Sequence, residues 1–129
     1  MTAKDLMTTD IITVPPTLSI KQLAMTLIKN QISGAPVVDK KGKIIGIVSE
    51  ADLVAKKGKD VRSIMSKKVI SITEDTPIEE IAQLMARHNI KRLPVMNGGK
   101  TVGIVSRADI VNAIAMGKHL TLPSPVYDL

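Results

Sequence analysis

One heptapeptide occurs twice in this chain. Gly46-Ile47-Val48-Ser49-Glu50-Ala51-Asp52 returns as Gly103-Ile104-Val105-Ser106-Arg107-Ala108-Asp109, with a difference only between Glu50 and Arg107. The apolar run ending at Val48 reads as a strand, and Leu53-Val54-Ala55 reads as a helix. Each copy therefore spans a strand-to-helix turn. Ser49 and Asp52 are three residues apart, as are Ser106 and Asp109. On the first turn of a helix this spacing sets a hydroxyl and a carboxylate side by side, next to backbone N–H groups without helical partners. That chemistry suits a ribose diol and a phosphate.

The heptapeptide ends a longer repeat. Lys4-Asp5-Leu6-Met7 matches Arg62-Ser63-Ile64-Met65 at an offset of 58. Ile12-Thr13-Val14 matches Ile70-Ser71-Ile72, and Ala35-Pro36-Val37-Val38 matches Leu93-Pro94-Val95-Met96. The offset falls to 57 by Gly46 and Gly103, so one residue is lost in the intervening loop. Each repeat opens with a short strand, Ile11 to Val14 or Val69 to Ile72. A helix follows, with an apolar stripe at Ile20, Leu23, Ala24, Leu27 and Ile28 in one copy and at Ile78, Ile81, Ala82, Met85 and Ala86 in the other. Thr76-Pro77-Ile78-Glu79 reads as a cap, a first-turn proline and an acidic third position. Hairpins follow at Pro36 to Val48 and Pro94 to Val105. A second helix closes each repeat, at about Ala51 to Lys56 and Ala108 to Met116. The order is β-α-β-β-α, twice, with repeats at 1–58 and 59–117 and a tail at 118–129. The expected fold is mixed α/β (α+β), two repeats packed as a pseudo-twofold pair.

Composition narrows what such a pair can do. The chain has 129 residues, 44% of them hydrophobic, with no Phe or Trp and Tyr127 as the sole aromatic. Any base bound here would lie between aliphatic side chains and prolines. Cysteine is absent, which excludes disulfides and thiol chemistry. The net charge of +6 favours anionic partners. Lys4 and Asp5 interrupt any leader-like apolar start, and no run approaches a membrane span, so a cytoplasmic protein is expected.

The doubled Gly-hydrophobic-x-Ser-x-x-Asp turn, the Pro36 and Pro94 strand starts, and the Met7 and Met65 elements, all in order and in register, resemble a tandem pair of CBS domains, a Bateman module. The resemblance runs from about Lys4 to Gly117. It implies two sheets packed face to face with two clefts between the repeats. It also implies regulatory binding of adenosine-containing ligands (AMP, ADP, ATP or S-adenosylmethionine), with no obligatory cofactor.

Asp52 and Asp109 are the candidate ribose ligands, since one carboxylate accepts from both hydroxyls of a diol. Ser-x-x-Asp is equally a capping box that satisfies a helix N-terminus without a ligand, and Ser49 and Ser106 can serve both roles. Lys91 and Arg92, on the segment that borders the cleft in the family, are candidate phosphate contacts or a solvated charged pair; Ser33 and Gly34 stand there in the first repeat. The resemblance assigns the adenine slots to Ile12, Ala35 and Pro36 and to Ile70, Leu93 and Pro94, residues that otherwise read as core. Thr17 and Thr76 are candidate polar contacts or helix caps. His88 and His119, without Cys or a facing carboxylate pair, do not make a metal site.

No Ser-His-Asp or metal constellation is present, so an enzyme is not expected. A homodimer is expected from an aliphatic helical face of Leu53, Val54, Ile110, Val111 and Ile114. The alternative is a nucleic-acid-binding or structural interaction module with no nucleotide ligand. The +6 charge supports it. The lack of aromatics for base stacking and of a recognition-helix motif counts against it.

Overall fold

A computed structural model describes residues 1–117. The chain forms two compact units that do not follow the repeat order in sequence. The first holds Ile12–Val69; among the described residues the second combines Met1–Ile11 with residues 70–117. Each unit thus takes the opening segment of the other repeat.

In the first unit, Ser19 caps α2 (Ile20–Asn30): the Gln22 amide donates to Ser19 Oγ at 3.1 Å, and the Ser19 amide donates to Gln22 Oε1 at 3.0 Å. Ser19 takes the capping role considered for Thr17. The predicted stripe turns Leu23 and Leu27 into the core. Burying a leucine fully is worth about 1.5–3 kcal/mol. Gln31 ends the helix in the left-handed conformation. Strand β1 (Gly34–Val38) pairs antiparallel with β2 (Ile44–Ser49). The expected opening strand shrinks to one parallel bridge between Val14 and Val37. The Val14 amide donates to Pro36 O and the Val38 amide to Val14 O, each at 3.0 Å. Pro15 and Pro16 then follow with no N–H to extend the ladder. Helix α3 (Glu50–Ala55) and the single-turn helix α4 (Val61–Ile64) complete the unit. Val14, Leu23, Leu27, Ala35, Val37, Val48, Val61, Ile64 and Met65 form its core.

The second unit repeats the plan. Its opening turn, α1 (Ala3–Leu6), is boxed by Thr2 and Asp5. The Thr2 amide bonded to the Asp5 carboxylate holds that carboxyl below its ordinary range. Strand β3 (Ile72–Thr73) is only two residues long and pairs parallel with β4 (Arg92–Asn97), which pairs antiparallel with β5 (Lys100–Ser106). Helix α5 (Ile78–His88) buries Ile78, Ile81, Ala82 and Met85, and α6 (Arg107–Ala115) buries Ile110 and Ala113. Thr76 does not cap α5; Pro77 holds that position, and Thr76 Oγ1 accepts from the Thr73 amide at 3.0 Å. A proline ring fixes the extended approach to the helix but offers no side-chain acceptor.

The two Leu/Ile-Met elements have a packing role. A Cβ on Gly103 would lie 2.6 Å from Met7 Sδ, and one on Gly46 would lie 2.7 Å from Met65 Sδ. Mid-strand glycine makes room for a methionine laid across β5 or β2. Of the aliphatic face expected for self-association, Ile110 is 2% exposed and belongs to the core, because α6 turns it inward. Leu53 is half-buried against the first unit's core, whereas Val54, Val111 and Ile114 are exposed.

Candidate functional site

The twin turns form in both units, and each carboxylate closes a capping box. The Ser49 amide donates to Asp52 Oδ2 at 2.9 Å, and the Asp52 amide donates to Ser49 Oγ at 3.4 Å. In the other unit the Ser106 amide donates to Asp109 Oδ2 at 2.7 Å, and the Asp109 amide to Ser106 Oγ at 3.2 Å. These bonds fix the carboxylates rather than consume them, since a carboxylate has about four acceptor positions.

The hairpin register brings the other candidates to the same place. Gly34 stands opposite Ser49, and Arg92 stands opposite Ser106. The turn is pinned beside them: the Glu50 amide donates to Ser33 O at 2.9 Å, and the Arg107 amide donates to Lys91 O at 2.7 Å. Thus Gly34, Ser49 and Asp52 converge in the first unit. Lys91, Arg92, Ser106 and Asp109 converge in the second, where the segment beside the turn carries two cationic side chains.

The proposed base-slot residues divide by burial. Ile12 and Ile70 are half-buried and lie two residues ahead of Val14 and Ile72, which join the sheets. Ala35 and Leu93 are 0% exposed and sit in the hydrophobic cores of their own units. Pro36 and Pro94 are buried next to them in the strands. A ligand edge near Ala35 or Leu93 would therefore meet backbone and neighbouring side chains first.

Lys56 is the residue that sequence reasoning missed. Its Nζ lies 2.9 Å from Asp52 Oδ1 and also donates to Ile64 O at 3.1 Å. The signal was available, because Asp52 and Lys56 are four apart on a helix, but the Lys56-Lys57-Gly58-Lys59 run reads as a linker. The repeat equivalent of Lys56, at the offset of 57, is Ala113, which is buried because α6 continues past it. Among the described residues, Asp109 has no ion pair. The two carboxylates are thus alike in the amide bonds of their caps; Asp52 Oδ2 also accepts from Ser49 Oγ at 3.2 Å, and the two differ at the second oxygen.

A shallow depression of about 460 Å³ in the second unit is lined by Ser71, Thr73, Asp75, Thr76 and Glu80 among others, away from Ser106 and Asp109. Among the described residues no three His, Cys, Asp or Glu side chains gather as metal ligands. His119, Tyr127 and the tail lie outside the described residues. No described helix is long and apolar enough to cross a membrane.

The fold has many solved relatives. The CBS domain pair of protein MJ0100, in complex with 5′-methylthioadenosine and S-adenosyl-L-methionine, superposes with a TM-score of 0.85 at 33% identity, covering 90% of this chain and 97% of that one. CBSX2 of Arabidopsis thaliana, in complex with AMP, gives a TM-score of 0.84 at 28% identity, covering 92% and 98%. The CBS domain-containing protein YhcV of Bacillus subtilis is 32% identical over 114 residues, 83% of this chain and 81% of that protein. L-aspartate semialdehyde sulfurtransferase of Methanocaldococcus jannaschii is 36% identical over 111 residues, 83% of this chain but 22% of the enzyme. The chain thus spans about a fifth of that relative's length. The CBS domain model matches twice, at residues 3–58 and 61–116, and the chain belongs to the CBS domain family as a tandem pair.

Proposed function

We propose that this chain is a regulatory module that binds an adenosine-containing ligand (AMP, ADP, ATP or S-adenosylmethionine) and signals by a change of conformation or of oligomeric state. The observation that carries the reading is the doubled turn. Each unit presents a capped, rigid Ser-x-x-Asp next to the segment its hairpin brings opposite. Solved CBS pairs of similar fold hold AMP in one case and 5′-methylthioadenosine with S-adenosyl-L-methionine in another, which supports the ligand class.

In this reading Asp52 and Asp109 accept from the ribose hydroxyls while Ser49 and Ser106 orient them. Arg92, with Lys91, neutralises phosphate in the second unit, and Gly34 leaves room for backbone approach in the first. Ile12, Ala35 and Pro36, and likewise Ile70, Leu93 and Pro94, border the base. A ligand that binds one state better shifts the population by its differential affinity and by no more. The chain contributes no catalysis of its own, acts in the cytoplasm, and forms a homodimer through the exposed Val54, Val111 and Ile114.

Thermal-shift screening against AMP, ADP, ATP, S-adenosylmethionine and NAD, followed by calorimetry, tests the reading. A rise in melting temperature with at least one adenosine ligand, lost in an Asp52→Ala, Asp109→Ala double variant that still folds, is the expected result. No shift and no heat with any of the five would overturn it.

A further inference from the structure

The two units share a fold but not a charge. Residues 12–69 carry eleven Lys and Arg against four Asp and Glu, whereas the remainder of the chain carries seven against eight. The excess positive charge of the protein therefore belongs entirely to the first unit.

Much of it gathers at one edge. The turn between β1 and β2 presents Lys40, Lys41 and Lys43, all exposed. The antiparallel bridge between Ile47 and Ser66 sends the following residues, Lys67 and Lys68, back along β2 toward Lys43. Both are exposed. None of these five lysines is ion-paired among the described residues; the ion pair found there joins Lys56 to Asp52. Asp39, the one acid in the turn, directs Oδ1 to the amides of Lys41 and Lys43 at 2.9 Å each.

The second unit supplies an internal comparison. Thr8 bridges Ile104 as Ser66 bridges Ile47. The positions equivalent to the lysine edge are Asn97-Gly98-Gly99-Lys100 and Thr9-Asp10, with one lysine and one acid. The fold does not require lysine there, and a charge kept only for solubility has no reason to choose one copy.

The partner's chemistry follows from what the edge lacks. The large hydrophobic side chains that are exposed among the described residues, Met25, Ile28, Val54, Val111 and Ile114 on helices and Met1 and Met116 beside helix ends, all lie outside 39–43 and 66–68. A protein interface is anchored by buried apolar or aromatic groups, and this edge offers none. It has no aromatic ring for stacking unpaired bases either. We propose that the Lys40, Lys41, Lys43, Lys67 and Lys68 edge docks on the phosphate backbone of a nucleic-acid duplex without reading its sequence. The proposal is independent of the adenosine reading, since it uses none of the ligand residues.

Fluorescence anisotropy with a labelled duplex DNA of arbitrary sequence tests it, using the full chain. Five lysines on phosphates give a slope of log affinity against log salt of about −4.5, which is a loss of a few hundred-fold between about 50 and 200 mM. The Lys41→Gln, Lys67→Gln, Lys68→Gln variant should flatten the slope to about −1.8, while Lys100→Glu on the other unit leaves it unchanged. Melting curves check folding, and Lys40→Gln, Lys41→Gln at the turn tip replaces the triple variant if that one melts early. The proposal is overturned by absent duplex binding at low salt, by a triple variant that binds like the parent, or by an equal loss in Lys100→Glu. Tight binding of poly-glutamate or anionic vesicles without binding of the duplex would overturn it in favour of an acidic protein or a membrane surface.

Discussion

Lys56→Ala should strengthen ligand binding at the first unit. A diol needs two acceptor positions on Asp52, and Oδ1 is already 2.9 Å from the Lys56 ammonium. For the ligand to bind, the lysine has to yield or share. The pair is 46% exposed at the lysine and 16% at the aspartate, so solvent screens it and its worth is about 0.5–1 kcal/mol. The second bond of Nζ, to Ile64 O at 3.1 Å, is disturbed in the same movement. Together these predict a gain of about three- to tenfold in affinity. The gain should be equal for AMP and adenosine, because it acts at the ribose. Calorimetry in an Asp109→Asn background isolates the first unit, since asparagine keeps an acceptor for the Ser106 amide while losing the charge. The parent chain should bind first at Asp109, whose second oxygen has no competing cation among the described residues. Unchanged affinity in Lys56→Ala would refute the competition. A loss confined to AMP would show that Lys56 holds phosphate instead.

Three further outcomes are expected. Arg92→Ala should weaken AMP by about ten- to a hundredfold through lost charge-assisted bonds to phosphate, and adenosine much less; parallel titrations separate the two, and equal losses would remove Arg92 from the phosphate site. Gly103→Ala should destabilise the protein by about 1–3 kcal/mol, because its methyl would meet Met7 Sδ at 2.6 Å and Met7 Cβ at 3.0 Å. Denaturant unfolding of the Gly103→Ala, Met7→Ala pair should then cost less than the sum of the single changes. Light scattering should give a dimer mass that a Val54→Asp, Val111→Asp variant reduces to that of a monomer.

What the sequence made legible is what repeats at short range. The stripes through Leu23 and Leu27 and through Ile81 and Met85 specify α2 and α5, and the doubled turn specifies both hairpin exits. The turns α1 and α4 went unread because four residues contain no period; their signals were the boxes Thr2 to Asp5 and Asp60 to Ser63. The opening strands were overread, since an apolar triplet such as Ile12-Thr13-Val14 says nothing about how many partners the proline-rich continuation leaves it. At the site, the pairs Gly34 with Ser49 and Arg92 with Ser106 follow from hairpin register. The core burial of Ala35 and Leu93 agrees with the core reading that their apolar side chains carry alongside the slot assignment. Lys56 was hidden by its neighbours: among Lys57 and Lys59 it reads as one more solvated charge.

The exchange of opening segments also orders the protein's assembly in time. Residues 12–69 are contiguous, so the first unit has every core side chain, from Val14 to Met65, once Val69 has been made. Ala3 belongs to the other core, and Met7 packs against it and lies against Gly103. The Ala3 amide bonds to Thr76 O, and the Thr8 amide to Ile104 O. On a ribosome the first eleven residues emerge long before those partners and must wait, unpaired, through the synthesis of an entire unit. A fragment cut at the repeat boundary would strand Val61 and Ile64 from their core, whereas one cut at the unit boundary keeps the first unit whole. The second unit, by contrast, is closed only by Met1–Ile11, made before all the rest of that unit.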